Sequence, residues 1–109
     1  MSDLVEDVAG KFGVAVRREG ALALICFQDC GTILEACKSH GLLILGIKAF
    51  TLSDGKVIPD AGLIADFSKL AAKEWNAACL EAVKSAESYF EKAKSRSDLW
   101  FVFTLQQAT

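Results

Sequence analysis

A chain of 109 residues, 52% of them hydrophobic, is the size of one domain, and the span 1–109 can bury a core without disulfide staples. Twelve basic against fourteen acidic residues leave a net charge of −2, which argues against direct nucleic-acid binding through a basic face. A single proline, Pro59, and the lack of any Ser/Gly-rich or one-sign tract exclude long disorder.

Taken in chain order, residues 3–12 read as a short helix. Leu4, Val5, Val8 and Phe12 recur at helical spacing, Ser2 is a plausible N-cap and Gly13 ends the run. Residues 14–16 and 21–27 are two apolar runs around the polar segment Arg17-Arg18-Glu19-Gly20, the pattern of a β-hairpin with a solvated turn, although the alternating alanines and leucines of the second run also admit a helix. Asp29 is placed to cap a second helix over 30–40, with Cys30, Ile33, Leu34 and Cys37 on one face and Gly41 at the stop.

Residues 42–52 form the clearest strand, interrupted by Gly46 where a bulge or a close backbone approach is expected. A turn at 53–56 leads into a return strand that Pro59 should cut short, making it an edge strand or a brief hairpin arm, followed over 60–68 by an ordered loop with one helical turn. A long helix is predicted from about Lys69 to Lys94, with Trp75, Cys79, Ala82, Val83, Ala86, Phe90 and Ala93 as its buried stripe. Residues 99–106 alternate Leu99, Phe101, Phe103 and Leu105 with Trp100, Val102 and Thr104, which suggests an interior strand. The order α-β-β-α-β-β-α-β places the chain in the α+β class, with an antiparallel or mixed sheet and helices packed mainly on one face.

Signals for catalysis are sparse. His40 is the only histidine, and its place at the end of the second helix fits a dipole-stabilised terminal residue. Cys26, Cys30, Cys37 and Cys79 fit neither a C-x-x-C pair nor a zinc pattern and read as reduced core thiols. No phosphate-binding glycine loop, dinucleotide fingerprint or nucleophile elbow occurs, so neither an enzyme nor a cofactor is expected. No segment resembles a signal peptide, and the runs at 21–27 and 42–47 fall far short of the roughly 20 residues that span a bilayer. A cytoplasmic protein with no membrane partner is expected.

The stretch 54–75 mixes Asp54, Asp60, Asp66 and Glu74 with Ile58, Leu63, Ile64, Phe67 and Trp75. Carboxylates beside large apolar side chains in an irregular segment suit a binding surface for a basic protein, with an aromatic anchor at its centre. The bland alternative is a solvated loop whose apolar side chains tuck into the core.

Two stretches carry a family resemblance. Residues 34–47, reading LEACKSHGLLILGI, and the segment from Leu80 to Leu105 resemble the immunity protein of the E-type colicin that cleaves tRNA anticodons. There too a short helix ends in glycine and feeds an I-L-G-I strand, and a closing helix precedes an aromatic strand. The resemblance covers a third to a half of the chain. It departs in an additional N-terminal helix and hairpin, and in Lys48 where an acidic residue follows the family's I-L-G-I.

The resemblance implies a non-enzymatic antitoxin that fills the basic RNA-binding cleft of a cognate bacterial RNase toxin. Asp54, Asp60, Asp66 and Glu74 would stand in for phosphates, and Phe67 and Trp75 would serve as anchors. Two alternatives are an adaptor or subunit of another assembly, which an exposed apolar strand edge would favour, and a ligand carrier or small enzyme with a polar pocket around His40 or a cysteine.

Overall fold

The computed structural model describes residues 4–108. Its elements are α1 (Leu4–Lys11), β1 (Arg17–Glu19), β2 (Leu22–Cys26), α2 (Phe27–His40), β3 (Leu43–Ser53), β4 (Lys56–Asp66), a 3-10 turn (Ser68–Ala72), α3 (Trp75–Ala93) and β5 (Leu99–Gln106). The α+β class and the expected element order hold. The five strands form one antiparallel sheet in the order β1-β2-β5-β3-β4. The proposed Ser2 cap lies outside the described residues.

The core follows from the period of two in β5. Phe101 pairs with Ile25 of β2 and Ala49 of β3, and Phe103 pairs with Ile47, so these side chains share one face. Against that face pack Val5, Val8 and Ala9 of α1, Cys30, Ile33 and Cys37 of α2, and Cys79, Ala82, Ala86 and Phe90 of α3. Phe101 is fully buried, with Phe27, Tyr89 and Phe90 around it at centroid distances of 6.1, 6.1 and 5.0 Å. On the opposite face Trp100 pairs with Cys26 and Phe50, and the Arg17 guanidinium lies 5.6 Å from the indole centroid.

Four sequence expectations need correction. Arg17 and Arg18 belong to strand β1, not to the turn, which falls at Gly20-Ala21 with Gly20 at φ 62°. Arg17 stacks on Trp100 and Arg18 pairs with Glu6, so cross-strand and helix contacts hold a polar run extended. Helix α2 starts at Phe27 rather than Cys30 and lacks a side-chain cap. Asp29 sits inside its first turn and accepts a hydrogen bond from Cys26 Sγ at 3.2 Å, while the Phe27 ring packs on Phe90 and Phe101 and anchors the extra turn.

The third correction is the largest: Pro59 does not end the return strand. β4 runs on for eleven residues as an edge strand, and residues 60–66, expected as a loop, belong to it. Proline is tolerated at an edge, where no neighbouring strand needs its missing N–H. Between the Phe50–Pro59 and Lys48–Ile64 pairs the register shifts, and the additional β4 residues form a bulge. Finally, the long helix is broken. Ser68–Ala72 is a 3-10 turn, and α3 begins only at Trp75 behind a new cap.

The two glycines of the 34–47 stretch have separate duties. Gly41 takes φ 63° as the left-handed stop of α2, with its N–H donating to Cys37 O. Gly46 lies where β4 crosses closely: a Cβ there would stand 3.0 Å from the Ala65 carbonyl oxygen. Gly46→Ala should therefore destabilise the fold by roughly 1–3 kcal/mol through overpacking against backbone. Gly41→Ala should cost about 1–2 kcal/mol through left-handed strain. Urea titrations of both variants give the measurement, and an unchanged midpoint for Gly46→Ala would refute the close approach.

Candidate partner-binding surface

The acidic stretch resolves into a strand, a turn and a helix cap. Asp54 occupies the β3–β4 turn with φ 50° and is exposed. Asp60 sits in the β4 bulge, where its Oδ1 accepts the Gly62 N–H at 3.0 Å and its Oδ2 accepts from Arg96 Nη1 at 3.1 Å. The same guanidinium grips both carboxylate oxygens of Asp98, so Arg96 ties the α3–β5 connection to the bulge. Asp66 ends β4, and its Oδ1 accepts the Ser68 N–H at 2.9 Å.

Glu74 is the N-cap of α3. Its two oxygens accept the N–H groups of Asn76 and Ala77 at 3.1 and 2.9 Å, which satisfies two donors that every helix start leaves open. These bonds favour the ionised forms. The Ser68 side chain and N–H hold the Asp66 carboxyl below its ordinary range, and the Ala77 and Asn76 N–H groups do the same for Glu74.

Both aromatic candidates are packed against the core. Phe67 and Trp75 are half-buried on it, the Phe67 N–H bonds Leu45 O at 2.8 Å, and Trp75 Nε1 donates to Gly41 O at 2.8 Å. The indole thus ties the start of α3 to the end of α2. Neither ring stands free as an anchor, because each is already spent on holding elements together.

The structure sets Asp60 and Asp66 on β4 and Asp54 in the turn before it, spread along one edge. Their six-residue spacing separates neighbours by up to about 20 Å in extended chain. Glu74 and Trp75 lie beyond the 3-10 turn, so the six residues form a line along β4 with a structural outpost, not a patch. Sequence reasoning missed Arg96, although the Asp60-x-Gly62 pattern of an Asx turn was readable. It named Ile58 and Ile64 in the stretch but gave the anchor role to Phe67 and Trp75, whereas the isoleucines are the 47% and 54% exposed ones on the edge strand.

Elsewhere, His40 meets the Phe12 ring edge-on at 5.3 Å in the last turn of α2. A groove of about 770 Å³ between α2 and α3 is lined by Phe27, Cys30, Leu34, Glu87, Phe90 and Lys94. The Cys30 thiol there donates to Cys26 O, and burial pushes its pKa far above the ordinary value, which disfavours the reactive thiolate. Burial likewise pushes the Cys37 thiol up to about 12. Among the described residues no helix is long and apolar enough to cross a membrane, and no three His, Cys, Asp or Glu side chains cluster to hold a metal. No protein-family model, curated protein or solved structure matches the chain.

These placements have consequences in acid, in the α2–α3 tie and at the thiols. Carboxylates with depressed folded-state pKa values stabilise fully above their ordinary values of 3.8 and 4.5, and that contribution fades as acid carries the pH down through the folded values. Asp66→Asn and Glu74→Gln should each flatten the acid limb of a stability–pH curve below about pH 4.5, read by thermal melts at stepped pH. Trp75→Phe should cost about 1 kcal/mol by stripping Gly41 O of its donor, measured by urea titration. In a thiol-labelling time course at pH 8, the half-buried Cys26 should react first, with Cys30 and Cys37 waiting for unfolding.

Proposed function

We propose that this chain is a non-catalytic protein-binding domain of the toxin-immunity kind, whose partner is a basic bacterial RNase domain met along β4. One observation carries the reading: the two stretches that resemble the colicin immunity family fold into a single unit. Helix α2 runs through the Gly41 stop into β3, α3 leads into β5, and β3 and β5 are neighbours over Leu43–Gln106 to Thr51–Leu99. Both helices pack on the face that these two strands share. Segments far apart in sequence thus assemble into one helix-on-sheet unit, which supports reading the two stretches together.

The edge of that unit is β4, which carries Asp60 and Asp66, with Asp54 in the turn before it and Ile58 and Ile64 exposed along it on opposite faces. Carboxylates of this kind replace phosphate oxygens for arginine and lysine side chains and speed encounter with a positive cleft. Apolar side chains beside them slow release. The line of charge suits a partner that runs alongside the strand rather than one that inserts a single cation.

The exposed isoleucines favour a second reading, an adaptor that receives a strand of another protein at the β4 edge. Pro59 and the bulge at Asp60–Gly62 interrupt that edge and leave short arms for an added strand. An immunity gene should lie directly after its toxin gene, and co-expression with an RNase toxin found at that position separates the readings. The wild-type chain should restore growth, and Asp60→Lys with Asp66→Lys should abolish protection while circular dichroism stays native. Full protection by the double variant removes the acidic edge from the interface. Loss of protection only with Ile64→Lys, at an affinity indifferent to salt, supports the adaptor geometry instead.

A further inference from the structure

No further inference is drawn: the strongest candidate, the helix-free face of the sheet around Trp100, where Arg17 stacks on the indole and Phe50 lies beside it, is an unpartnered apolar surface, and nothing in the structure shows what covers it.

Discussion

The burial of Phe101 is the constraint on which the molecule turns. This side chain sits on β5, the strand between β2 and β3, and faces Ile25 and Ala49 across its two ladders. Phe90 of α3 meets it at 5.0 Å and Phe27 of α2 at 6.1 Å, so one ring joins the centre of the sheet to both major helices. Core phenylalanines of this kind hold roughly 3–5 kcal/mol against truncation, a large share of a small domain's net stability. Everything placed at the periphery, β4 and its charges included, depends on a register set from this centre. A slip of one residue in β5 would turn Phe101 and Phe103 outward and carry Trp100 into the core.

Elements governed by a strong period are legible in the order of the residues alone. The stripe of α3, the alternation of β5 and the Gly41 stop each express a single local rule, and all three stand as read. The errors share a cause: long-range contacts overrode local signals. Pro59 rightly marks an edge strand or a brief arm, but nothing local reveals that pairing with β3 resumes beyond the bulge and carries β4 on to Asp66. Likewise Arg17-Arg18 reads as a turn until Trp100, far along the chain, supplies a ring for the guanidinium. Phe27 reads as the end of a strand, yet aromatic partners on α3 and β5 draw it into α2.

The candidate surface was legible in composition but not in arrangement. A carboxylate in sequence carries no label for the task its oxygens perform. Glu74 serves as the cap of α3, Asp66 closes the turn at Ser68, and Asp60 supports its own bulge while holding Arg96. Such duties do not use up a carboxylate, which offers about four lone-pair sites and keeps its charge when the donors are neutral N–H groups. Arg96 is different in kind because it brings a positive charge of its own to Asp60. The Asp54-to-Asp66 line is therefore uneven, weakened at its middle by an internal cation.

This unevenness decides which force would dominate contact along β4. Lys69 acts on Asp66, Lys48 faces the Ile64 position in the register and Arg96 covers Asp60, so the local balance is close to neutral. Exposed ion pairs are worth only about 0.2–1 kcal/mol, and salt screens them further. Covering the open half of an isoleucine side chain yields about 1 kcal/mol, insensitive to salt. The register sets Ile58 opposite Thr51 on the helix-covered face and Ile64 opposite Lys48 on the other, so a contact on one face covers one of them and gains about as much as an exposed ion pair. A strand so nearly neutral would steer a partner little, and residence along it would rest on the exposed isoleucine of whichever face the partner met, Ile58 or Ile64.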